Sequence, residues 1–90
     1  MYIIKIGAVW CSGCLVMKPR WAEIEKELPW LKTEYLDFDG DAQKVAELGI
    51  HSETLPTFIF FDKNNNILKT LTGEIPKKDL IETIKKYENK

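Results

Sequence analysis

Two cysteines, Cys11 and Cys14, share the tetrapeptide Cys11-Ser12-Gly13-Cys14 and are the only cysteines among 90 residues. Thiols at this spacing can bond to one another, hold a metal, or exchange with a disulfide on another molecule. As a stabilising staple the pair is poorly placed, because closing so short a loop removes only about 2 kcal/mol of unfolded-chain entropy. A closed tetrahedral zinc site needs four donors, and beyond the two thiols the chain offers one histidine, His51, and scattered carboxylates. No metal or cofactor is therefore expected. Exchange is the chemistry best served: one thiolate attacks a foreign disulfide, and its neighbour attacks the resulting mixed disulfide and releases the reduced partner.

Exchange needs an exposed, acidified attacking sulfur, and the flanking sequence supplies the means. A strand-like run from Tyr2 to Ala8 leads into the pair. After it, Cys14, Met17, Trp21, Ile24 and Leu28 recur at spacings of three and four, which predicts one apolar helix face. Cys11 then stands at the N-terminus of that helix, where free backbone N–H groups and the positive end of the dipole favour a thiolate. Cys14, three residues later, faces inward as the resolving thiol.

The remaining elements follow from periodicity and turn chemistry. Pro29 ends the first helix, and Thr33 to Asp39 reads as a second strand with Leu36 and Phe38 on one face. A short helix from about Asp41 to Leu48 stops at Gly49, a residue suited to the left-handed position after a helix. Thr57 to Phe61 and Ile67 to Leu71 flank Asp62-Lys63-Asn64-Asn65-Asn66, whose asparagines tolerate left-handed backbone, so they form an antiparallel hairpin at one edge of the sheet. Pro76 fits a first helical turn, and Leu80, Ile81, Ile84 and Tyr87 give a last helix its apolar face. Asp37 and Asp39 read as strand-end and turn carboxylates, since the segment lacks the spaced ligands and terminal Glu of a calcium loop. His51 reads as a solvated loop residue.

Composition bounds the function. The length suits a single domain over 1–90, and 44% hydrophobic with 30% charged residues is the balance of a folded globule. A net charge of −1 without a basic block argues against nucleic acid as a partner. No run approaches the ~20 apolar residues of a membrane helix, and the start of the chain lacks the pattern of a secretory signal. The expectation is a cytoplasmic monomer.

Trp10-Cys11-Ser12-Gly13-Cys14 at the end of a strand, with Pro19 inside the following helix, resembles the thioredoxin family. Leu55-Pro56-Thr57 before the apolar run to Phe61 is similar to the family's cis-proline loop, and Gly73 to its late glycine near the active site. The resemblance implies an α/β domain of the minimal thioredoxin-like plan: a four-stranded mixed sheet flanked by about three helices, without the extra strand and helix that open larger members. It also implies roles. Trp10 covers the nucleophile and offers partners a flat apolar contact. Pro56, in the cis form, sets the backbone of Leu55 beside Cys11 for strand-like pairing with substrate, and Gly73 keeps the groove open.

Three departures qualify what is carried over. Ser12-Gly13 replaces the usual Gly-Pro between the cysteines, so the redox potential cannot be copied from a typical member. The glycine pair and acid with which glutaredoxins hold glutathione are absent, because Glu74, Ile75 and Pro76 follow Gly73. Lys5, six residues before Cys11, stands where the family usually has a buried acid. Lys5 either tunes the pKa of Cys14 toward the thiolate or snorkels to solvent. The function expected is reduction of protein disulfides, with a reductase as electron donor. A glutaredoxin-like reductase and a non-enzymatic redox-sensing or partner-binding module are the alternatives.

Overall fold

The computed structural model describes residues 1–90. Strand β1 (Tyr2–Gly7) leads into helix α1 (Ser12–Glu27), which returns the chain to β2 (Lys32–Asp37). Helix α2 (Ala42–Glu47) and a 3-10 turn (Ser52–Thr54) precede the hairpin β3 (Thr57–Phe61) and β4 (Ile67–Thr72), and α3 (Lys77–Tyr87) closes the chain. The sheet order is β2-β1-β3-β4, with β1 parallel to β2 and antiparallel to β3, and β3 antiparallel to β4. This is the four-stranded mixed sheet with three helices expected from the sequence.

Alternation along the strands splits the apolar residues between two faces. Ile3, Phe58 and Phe60 pack with Met17, Trp21 and Ile24 of α1 and with Leu80 and Ile84 of α3. On the other face Ile6, Leu36, Ile59 and Phe61 pack with Val45 of α2. Every residue of β3 is buried, as a strand covered on both faces requires. The hairpin thus contributes β4 to the edge and β3 to the interior.

Local chemistry explains where elements stop. The carboxylate of Asp37 accepts N–H bonds from Asp39 and Gly40 at 3.2 and 2.7 Å, turning the chain two residues before the predicted end of β2. Leu28, preceding Pro29, leaves helical geometry at φ −122°. Gly49 and Asn65 take positive φ, 73° and 65°, after α2 and in the hairpin turn respectively. Pro76 stands one residue ahead of α3, as its cap, rather than within the first turn.

Helices α1 and α3 share one core, so Ile84, fully buried against α1, is a strong test of the packing. Ile84→Ala is expected to cost about 2–5 kcal/mol in urea unfolding, the cost of a large-to-small cavity. Lys77→Ala, which removes the solvent-exposed bridges to Glu23 and Glu27, is expected to leave the unfolding midpoint almost unmoved.

Candidate active site

The turn after β1 presents the pair. The Cys11 N–H donates to the Ala8 carbonyl at 3.2 Å, and Cys11 itself is extended, at φ −94° and ψ 114°, as the N-cap of α1. Its Sγ accepts the backbone N–H of Cys14 at 3.2 Å. A sulfur therefore occupies the place that a Ser, Thr or Asp oxygen usually fills at a helix start, satisfying one of the free donors of the first turn. Both thiols are unbonded and partly exposed.

The two sulfurs differ in setting. Burial, followed by the hydrogen bond with Cys11, pushes the Cys14 thiol up to about 11. Cys14 is therefore a protonated thiol at neutral pH.

The Leu55–Pro56 peptide bond is cis. A Cβ built on Gly13 would come within 3.2 Å of Pro56 Cδ, so glycine between the cysteines lets the proline ring close over the start of α1. The Gly73 N–H donates to the Pro56 carbonyl at 2.8 Å, and Gly73, at φ +85°, faces open space. Arg20 binds the Ile75 carbonyl at 2.7 Å, and the Ile75 N–H reaches Met17 Sδ at 3.4 Å, tying the Gly73 loop to α1. Pro56 and Gly73 are thus bonded to each other and set against the cysteine loop, with Leu55 beside them.

Trp10 is 55% exposed and held from two sides. Its Nε1 donates to Asp39 at 2.7 Å, and its ring meets Phe38 edge-on with centroids 6.0 Å apart. Asp39, read from the sequence as a turn carboxylate, is the anchor of Trp10. The contact spans 29 residues, and no local pattern announces it.

Lys5 does not snorkel. Its side chain is 16% exposed, with Nζ 2.5 Å from Glu25 of α1 and 5.7 Å above the Trp21 ring. Glu25 supplies a counter-charge that makes the solvent route unnecessary. The net shift of Cys14 is upward, opposite to the pull of an unpaired ammonium.

Beneath Cys14 lies a cavity of about 360 Å³ whose walls include Lys5, Gly7, Trp21 and Tyr35. The Trp21 indole N–H is buried without a partner. Tyr35, on β2 in register with Lys5, escaped the sequence reading because a half-exposed strand tyrosine carries no motif. His51 is exposed, and no three His, Cys, Asp or Glu side chains converge as metal ligands.

Two thiols one helical turn apart, the first capping the helix, with a cis-proline loop closed against them, define a dithiol exchange site on an α/β scaffold. A family model for thioredoxin matches residues 1–86. The M-type chloroplastic thioredoxin of Chlamydomonas reinhardtii is 32% identical over 88 residues, which are 97% of this chain and 61% of that protein. A thioredoxin of Listeria monocytogenes is also 32% identical, over 97% of this chain and 82% of its own length. The X-ray structure of Fasciola hepatica thioredoxin superposes with a TM-score of 0.84 at 24% identity, covering 96% of this chain and 79% of that one. The chain belongs to the thioredoxin family of thiol-disulfide oxidoreductases, and Cys11 and Cys14 are consistent with its Cys-x-x-Cys motif.

The elevated Cys14 thiol has a direct consequence for labelling. In the reduced protein, alkylation of Cys14 by iodoacetamide, followed by peptide mass mapping, should keep rising about tenfold per pH unit until near pH 11. In Cys11→Ser the Sγ that raises it is gone, so the plateau should arrive at lower pH. It should remain above the ordinary thiol value of 9.0, because burial, the larger cause, persists.

Proposed function

We propose that the chain reduces disulfides of other proteins, with Cys11 as the attacking thiolate and Cys14 as the resolving thiol. The observation that carries this reading is the division of labour within one turn: a partly exposed Cys11 sulfur facing backbone N–H, and a Cys14 sulfur kept as a thiol behind it. Trp10, Leu55, Pro56 and Gly73 form the docking rim. The Leu55 backbone offers an extended edge to a partner strand, Trp10 an apolar plate and Gly73 an unobstructed floor. The oxidised pair returns to the dithiol by the same exchange with a reductase as donor. Such chemistry belongs where thiols are kept reduced, and we assign the chain to the cytoplasm as a monomer. No helix is long and apolar enough to cross a membrane.

Insulin, a protein with accessible disulfides, serves as the test substrate. Cys14→Ser should accumulate a mixed disulfide between Cys11 and insulin that survives non-reducing electrophoresis, while Cys11→Ser should form none and show no turnover. A mixed disulfide formed through Cys14 instead, or full turnover by Cys11→Ser, would contradict the assignment.

A further inference from the structure

Gly7 ends β1 directly beneath the cysteine loop, and what surrounds it points to a third participant. A Cβ placed on Gly7 would lie 3.1 Å from Tyr35 Oη and 3.2 Å from Cys14 Sγ. The phenol and the resolving sulfur therefore approach each other across a residue with no side chain. Tyr35 reaches this point because β2 runs parallel to β1 with Tyr35 opposite Lys5 and Asp37 opposite Gly7. Although half exposed as a residue, it turns its hydroxyl inward over Gly7 and lines the cavity that Cys14 lines. In the dithiol the two atoms are not hydrogen-bonded, and Cys14 keeps its own proton.

We propose that Tyr35 is a positioning residue for the second exchange step, donating a hydrogen bond to the Cys14 sulfur as it becomes a thiolate. The inference rests on the proposed role of Cys14. In that step the Cys14 S–H gives its proton to solvent water. The thiolate bonds to Cys11 Sγ, the bond from Cys11 to the partner sulfur breaks, and the electron pair leaves on the partner sulfur, which takes a proton from water. The partner is reduced and the cysteine pair oxidised.

The Ala8 backbone N–H favours the Cys14 thiolate, yet burial and the Cys11 contact outweigh it, so a further donor is useful here. From β1, Lys5 is matched by Glu25; from α1 come Cys11 and Lys18; from β2 and the turn after it, Asp37 and Asp41; and Glu74 lies beside Gly13. Burial, then the charges of Asp37 and of the cysteines, raise the Tyr35 phenol above its usual range, so it is a protonated donor at neutral pH.

The test is single-turnover reduction of insulin, followed by acid quench across the neutral to alkaline range, with wild type, Tyr35→Phe and Cys14→Ser. For Tyr35→Phe we expect mixed disulfide to form at the wild-type rate. Its resolution should be roughly tenfold slower, the loss of one hydrogen bond to a charged group, with the rising limb of the pH profile moved to higher pH. Resolution and profile identical to wild type, or equal slowing of both steps, would overturn the proposal. If Cys14→Ser retains mixed disulfide while Tyr35→Phe behaves as wild type, only the role of Tyr35 fails. If Cys14→Ser retains none, the function proposed for the pair fails, and the role of Tyr35 with it.

Discussion

The Cys11 sulfur accepts the backbone N–H of Cys14, and that contact makes a helix start into a reactive centre. It places one sulfur where the unpaired donors and dipole of α1 act on it, and by the geometry of one helical turn it puts the second sulfur within bonding reach. Burial then separates the two chemically, since the inner thiol holds its proton up to about pH 11. The roles proposed for the pair, attack by Cys11 and resolution by Cys14, rest on position along a single helix. The rest of the fold packs around that first turn.

Stabilisation of the turn comes from long-range packing. Met17, Trp21 and Ile24 fix the buried face of α1 against the sheet, and Arg20 and Met17 reach across to the backbone of Ile75. Pro56 closes from the other side against Gly13, and its carbonyl holds Gly73. Glycines stand where two segments touch, Gly7 under Cys14 and Gly13 under Pro56, while Gly73 takes a positive φ facing open space. A side chain at Gly7 would push directly on Cys14 or Tyr35.

Much of this was legible in the sequence because it depends on local signals. The period of α1, the Cys-Ser-Gly-Cys spacing, the asparagine-rich hairpin turn and the glycine after α2 each carry their own chemistry within a few residues. What escaped depends on contacts between distant segments. Asp39 anchors Trp10 from 29 residues away, Glu25 neutralises Lys5 from 20 residues away, and Tyr35 meets Cys14 only through the register of β2 on β1. Lys5 shows the limit most clearly. Its place six residues before Cys11, where the family usually has a buried acid, marked it as unusual, but its consequence depended on a glutamate of α1 that no periodicity could pair with it.

The central claim is that Cys11 and Cys14 form one reversible two-electron couple on a scaffold that does not change. Equilibration in dithiothreitol redox buffers, read by mass spectrometry after thiol trapping and by backbone circular dichroism, tests it most directly. The account requires a single transition between a dithiol and an intramolecular disulfide, fitted with two electrons, with the helical signal retained throughout. Separate modification of each cysteine, a disulfide formed only between chains, or loss of the helical signal on oxidation would contradict it.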